Sequence, residues 1–265
     1  MRQGVVDLRD FYASALGRAA RKAIGRKIGE TWGDGAGLDM LGVGYATPFL
    51  AGFGKARRIV AAMPAEQGVE AWPAGERNRA CLVDEAALPM ANALFDRVLA
   101  VHALEESDSP LALLLEIGRV LAPSGRVILA VAARHGPWAG AERTPFGHGR
   151  PFSRRQLERL VEEAGLAPVG CVGALFVPPA PWAARWADGF ERAGARLWPP
   201  LARVTLLEAI KQTLAVHAPR ARARAAPTPL LRPAPIGGRP AFREPPLPAG
   251  RARTAPPPRA RLRWG

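Results

Sequence analysis

The sequence predicts an α/β domain whose core is a mostly parallel sheet of seven strands with helices on both faces. Three observations carry that expectation. From Gly37 onward, short apolar runs alternate with longer segments whose apolar residues recur at helical spacing, the order of a parallel α/β sheet rather than a sandwich. One of those runs passes directly into a turn of small residues, Gly42-Val43-Gly44-Tyr45-Ala46, as a strand leading into a helix does. Apolar residues make up 48% of the 265, enough to bury a substantial core.

The elements follow in order. Leu8, Tyr12, Leu16, Ala20, Ile24 and Ile28 stand at steps of four with Arg and Lys opposite, which predicts an amphipathic helix over residues 7–29. Strands are expected at 37–41, 58–62, 80–83, 95–101, 126–132, 168–176 and 202–209. Helices are expected at 48–53, 109–121 and 153–164, with a further one through 182–197. Pro110 suits a first helical position, and Pro123-Ser124-Gly125 reads as a tight turn into the next strand. Ser153 can cap the third helix, Leu157, Leu160 and Val161 form its buried stripe, and Gly165 ends it. Trp182, Trp186 and Trp198 fit one helix face, so burial is the default reading for them.

Composition narrows the function classes. Cys81 and Cys171 lie far apart in apolar stretches, supporting neither a disulfide framework nor a thiolate metal site; they read as buried, reduced thiols of a cytoplasmic protein. No signal-like segment opens the chain and no run of about 18 apolar residues occurs, so membrane insertion is not expected. The net charge is +14, but residues 217–265 hold eleven Arg against the single acid Glu244, leaving the rest near neutrality. Twelve of the 27 prolines fall in the same stretch, so the chain reads as a domain over 1–216, with its core at 33–210, and a disordered Pro/Arg-rich tail over 217–265. The tail is either a biased extension or a phosphate-binding arm, and nucleic acid could be engaged only through it.

Ligands of a parallel sheet bind at the carboxyl ends of its strands, where a turn without side chains lets a cofactor approach the backbone. Gly42 and Gly44 would give that access, with Ala46 in the place of a third glycine, although glycines also serve ordinary turns. Further along come Asp84-Glu85-Ala86-Ala87-Leu88-Pro89, then Phe95-Asp96 opening a strand that leads to His102-Ala103-Leu104-Glu105-Glu106, then Arg119-Val120-Leu121-Ala122-Pro123-Ser124-Gly125. In this order and spacing the segments resemble the class I S-adenosylmethionine-dependent methyltransferases, specifically the small type 11 group, over residues 37–164. The resemblance implies a Rossmann-like, seven-stranded, mostly parallel sheet whose last strand is antiparallel. It also implies S-adenosylmethionine as cofactor and an unidentified small-molecule methyl acceptor.

The resemblance assigns Gly42, Gly44 and Ala46 to the methionine and ribose side of the cofactor, Met63 to the end of the second strand, and Asp84 to the adenine amino group with Glu85 beside it. His102 falls where the group places residues lining the methyl-transfer pocket; with His148 it is a candidate base, needed only for an acceptor that carries a proton. Two usual acids are missing: Met40 aligns with the first, Asp39 being one position early, and the second strand ends Met63-Pro64-Ala65 with Glu66 late. A non-catalytic cofactor-binding or protein-interaction domain therefore stands as the alternative. Each residue also has a structural reading: Asp84 and Glu85 as helix caps, His102 as a strand-end residue, Asp96 as structural, Glu105 and Glu106 as solvent-exposed. The loop over 134–152, with His135, Trp138, Phe146 and His148, reads as a substrate lid or a packed connection, and Glu70-Ala71-Trp72 as an aromatic wall or a core plug.

Overall fold

The computed structural model describes residues 3–133, 144–178, 180–197 and 202–212. The expected tail over 217–265, His135, Trp138 and Trp198 lie outside these residues. Seven strands form one sheet: β1 (Asp39–Gly44), β2 (Arg58–Pro64), β3 (Ala80–Val83), β4 (Phe95–Val101), β5 (Leu121–Ala132), β6 (Leu166–Ala174) and β7 (Val204–Lys211). Their order is β3-β2-β1-β4-β5-β7-β6. Pairings from β3 through β5 are parallel, and β7 runs antiparallel to both β5 and β6. This is the Rossmann-like arrangement, with its antiparallel last strand, that the resemblance implies.

Neighbouring residues on one strand point to opposite faces, and here each face has its own core. Met40, Ile128 and Leu206 join Ile24 and Ile28 of the N-terminal helices on one side. Leu41, Val127 and Leu207 join Leu113 and Ile117 of α4 (Pro110–Val120) and Leu157 of α5 (Arg154–Glu163) on the other. Each such fully buried aliphatic side chain contributes about 1.5–3 kcal/mol of burial. Helix α5 begins with a reciprocal capping box between Ser153 and Gln156, and Gly165 follows its end at φ +76°.

The N-terminal stripe is divided between two helices, α1 (Val5–Ala13) and α2 (Ala15–Trp32). Ser14 is extended and its side chain accepts from the Gly17 N–H at 3.0 Å, capping α2. A Cβ on Gly17 would fall 1.9 Å from the Phe11 carbonyl, so glycine is what lets α1 fold back at this point. The periodic pattern survives the break because both helices bury the same stripe; the change of direction leaves no mark on it.

Two expectations need correction. Trp182 and Trp186 are each 60% exposed rather than buried. Their segment is a 3-10 helix (Pro181–Trp186) leading into α6 (Ala187–Leu197), and positions four apart do not stack at three residues per turn. The stripe that α6 buries is Ala187, Glu191 and Gly194, with Gly194 closed against the Phe176 ring. Cys81 and Cys171 are free but only partly buried. Among the described residues, no helix is long and apolar enough to cross a membrane.

Candidate functional site

Because β1 to β5 are parallel, Gly44, Pro64, Val83, Val101 and Ala132 all end at one edge of the sheet. Gly44 has φ +74°, and a Cβ there would lie 2.3 Å from the Val101 carbonyl oxygen and 2.9 Å from the Ala103 Cβ. A Cβ on Gly42 would meet Leu50 Cδ1 at 2.7 Å and Ala46 Cβ at 2.9 Å. Both glycines are therefore demanded by the packing of the turn itself. The helix after the turn, α3 (Thr47–Leu50), is one turn long, shorter than the expected 48–53, and offers little macrodipole.

His102 stands one residue past β4 in the left-handed region, at φ +49°, a conformation that non-glycine residues hold only where the surroundings enforce it. It is 1% exposed. The Tyr12 hydroxyl of α1 lies 2.8 Å from its Nε2, and Glu105 Oε1 lies 3.5 Å from its Nδ1. The pattern is satisfied when the Tyr12 O–H donates to an unprotonated Nε2 and the ring proton sits on Nδ1, facing Glu105. Burial first, then the Glu105 charge, pushes the Tyr12 phenol well above its usual range, so Tyr12 remains a neutral donor. Gln67 Nε2 donates to the His102 carbonyl at 3.1 Å and holds the bend.

Glu105 is not solvent-exposed as expected but 1% exposed, because the chain turns inward after His102 and the Gly149–Arg150 backbone closes over it. Glu106 is half-buried and accepts from the Gln3 N–H at 3.2 Å. Among the described residues, neither carboxylate oxygen of Glu105 has a hydrogen-bond partner, nor do His102 Nδ1 and Gln67 Oε1. A buried charge in this condition is costly unless paired, and the long contact to Nδ1 satisfies it only in part.

Aromatic rings enclose the pair. Tyr12 stacks on Tyr45 at 5.8 Å between centroids and meets Phe49 edge-on at 5.7 Å. Phe146, from the described end of the long loop, lies 4.9 Å from the His102 ring and receives Phe11 edge-on at 6.1 Å. His148 is half-buried two residues further on. Among the loop's described residues, Phe146 reaches the histidine.

The other assigned residues divide by depth. Met63 is fully buried in the core beneath the N-terminal helices. Asp84 is exposed just past β3, its Oδ1 accepting from the Ala86 N–H at 2.9 Å; it closes a turn, not a helix. Glu85 Oε1 accepts from the Ser107 hydroxyl at 2.7 Å, which ties the end of β3 to the loop after β4. Asp39 lies at the amino end of β1, away from the edge, and is gripped by Arg57 at 2.9 and 2.5 Å. The Arg57 hydrogen bonds are the main cause of its lowered carboxyl pKa. Asp96 accepts from the Asp39 N–H at 2.9 Å, the structural role expected of it.

A carboxylate that the sequence offered only as part of the Glu70-Ala71-Trp72 wall or plug does reach the turn. Glu70 accepts from the Thr47 hydroxyl at 3.2 Å, close enough to Tyr45 for its charge to act on the phenol. Burial, followed by the Glu70 charge, raises the Tyr45 phenol pKa. Glu70 stands six positions past the end of β2, and only the fold of the intervening loop brings it back, so strand-end spacing gave no signal for it. A cavity of about 450 Å³ opens at the same edge, lined by Glu66, Glu105, Ser107 and Arg150 among others.

The sheet order, the glycine turn and the polar edge above β4 define a class I, Rossmann-like methyltransferase domain. Residues 41–170 match the family model described as a methyltransferase domain, and this part of the chain belongs to that family. No curated protein matches the chain at a significant level. Among solved structures, an S-adenosylmethionine-dependent methyltransferase from Thermotoga maritima, described as a possible histamine N-methyltransferase, is 17% identical with a TM-score of 0.55, over 78% of this chain and 96% of that one. A methyltransferase from Mesorhizobium loti is 13% identical with a TM-score of 0.50, over 76% and 99%. The [4+2]-cyclase SpnF matches at 21% identity and a TM-score of 0.50, over 72% and 80%. These likenesses establish the fold.

Proposed function

We propose that the domain transfers a methyl group from S-adenosylmethionine to a small acceptor at the edge between β1 and β4. The observation that carries this reading is the meeting of the glycine turn with the buried His102–Glu105 pair at the carboxyl ends of adjacent parallel strands. When bound, the cofactor supplies an electrophilic methyl sulfonium. Asp84 and Glu85 at the end of β3 would hold the adenine side. Glu70, beside Tyr45 and Thr47, would stand in for the acid that β2 lacks. The residues present fit such a group in kind: three buried polar side chains at this edge, Gln67, His102 and Glu105, keep atoms without partners among the described residues, as a polar ligand requires.

His102 is the residue that would handle a proton. With Nδ1 protonated toward Glu105, its Nε2 lone pair can take the proton of an N–H or O–H acceptor, and the Glu105 charge steadies the imidazolium that results. Phe146 and the rings around it keep water from the pair. Isothermal titration with S-adenosylhomocysteine tests the cofactor half: micromolar binding is expected, weakened about tenfold or more in Glu70→Ala, and no heat up to millimolar ligand would sink the proposal.

The alternative, a cofactor-binding domain without methyl transfer, draws support from the ends of β1 and β2, where Gly44 and Pro64 stand and no acid does. Binding of S-adenosylhomocysteine by wild type with no effect of Glu70→Ala or Asp84→Ala would favour it.

A further inference from the structure

We infer that helix α1 is a gate, and that Tyr12 holds it shut by occupying both the proton-accepting nitrogen of His102 and the face of the glycine turn. The inference rests on the cofactor reading given above. Tyr12 is 6% exposed, and its hydroxyl lies on Nε2, the same atom that an acceptor would need. Its ring covers Tyr45, the residue between Gly44 and Ala46, and abuts Phe49 behind it. Next to it Phe11 closes on Phe146. The space directly above the turn and the histidine is thus filled by side chains of α1. A ligand cannot contact His102 Nε2 while Tyr12 does, because a single lone pair accepts one hydrogen bond.

The attachment of α1 is suited to release. It is nine residues long and is joined to α2 through the extended Ser14 rather than by continuous helix. Beyond its packing, its far end is held by the Val5 N–H donating to the Gln67 carbonyl at 2.7 Å and by the Gln3 N–H on Glu106. Rotation about Ser14 would break these two bonds and the Tyr12–His102 contact together, leaving α2 and the sheet in place. Opening would free His102 Nε2 and the face of Tyr45 for an incoming group. Cofactor and acceptor would then bind to the open population, and their observed affinity would be reduced by the fraction that is closed.

The geometry offers a lock. A Cβ on Gly68 would lie 3.8 Å from the Val5 Cβ, within the usual span for a disulfide. The experiment is titration of the full chain, as Val5→Cys/Gly68→Cys with Cys81→Ser and Cys171→Ser, with S-adenosylhomocysteine before and after reduction. We expect the oxidised protein to bind at least tenfold more weakly than the reduced one, and reductant to restore binding. Gly68 has φ +89°, so a side chain there is strained; Tyr12→Ala in the otherwise native chain supplies the second arm. Its association with the same ligand, followed by stopped-flow fluorescence, should be about tenfold faster than wild type. Equal binding by the oxidised and reduced forms, or equal association by wild type and Tyr12→Ala, would overturn the gate while leaving the cofactor reading intact. Absence of binding by every form would overturn both.

Discussion

Replacing Gly44 by alanine separates two penalties that glycine conceals. The first is conformational: at φ +74° an L-residue carries roughly 1–2 kcal/mol of left-handed strain. The second is a clash, since the new Cβ would stand 2.3 Å from the Val101 carbonyl oxygen, a backbone atom fixed in the sheet. Overpacking of this kind costs about 1–3 kcal/mol more. Gly37 provides the control, because at φ +73° it has nothing within 4 Å of an added Cβ. Gly37→Ala should therefore cost about 1 kcal/mol, reduced somewhat by the stiffer unfolded chain, whereas Gly44→Ala should cost roughly 2–5 kcal/mol. In a domain of this size the latter corresponds to a fall in Tm of roughly 4–20 °C. Urea unfolding followed by tryptophan fluorescence would report both values at constant slope. Equal destabilisation by the two substitutions would refute the claim that Gly44 is required by contact with β4.

Three further outcomes follow from particular contacts. Tyr12 and Tyr45 are the chain's two tyrosines, and both phenols are raised above their usual value of about 10, chiefly by burial. The folded state then holds protons that the unfolded state releases, so stability is complete below about pH 10 and falls as pH rises above it; absorbance at 295 nm should show tyrosinate only with unfolding, and a free titration near pH 10 would contradict the burial. Arg57→Ala should lower the urea midpoint, because it strands the buried Asp39 carboxylate although Arg57 itself is exposed; that loss should shrink as pH falls through the Asp39 pKa, whose lowering makes the pair's contribution present above the unfolded carboxyl value and absent below the folded one. Ser153→Ala removes the capping box of α5 and should cost about 1 kcal/mol by chemical denaturation, an effect that Ser153→Asp should largely avoid.

Much of the fold was legible because it rests on short-range rules. The run over 95–101, apolar but for Asp96 and Arg97, and the four apolar residues of β3 both match their predicted bounds. Ser153 and Gly165 mark the limits of α5 by local hydrogen bonding and backbone conformation, which do not depend on distant contacts. Errors arose where one pattern serves two geometries. The stripe from Leu8 to Ile28 reads the same through the break at Ser14, and tryptophans four apart suggest an α-helical face where the backbone is a 3-10 helix.

The site was less legible, for reasons of distance. His102 could be located from its place after a strand, but its partners stand 90 residues earlier, in Tyr12, and at a buried Glu105 that its sequence neighbours disguise as a surface acid. Glu70 depends on a loop returning to the turn it left.

The sequence by itself determined the alternation of strands and helices, the glycine turn and the position of the histidine, since periodicity, backbone sterics and capping act within a few residues. Only the tertiary structure decided what those features face. The sheet sets Gly44 against Val101, turns Glu105 inward and lays Tyr12 on His102, because these arrangements come from packing between segments whose separation along the chain carries no local signal.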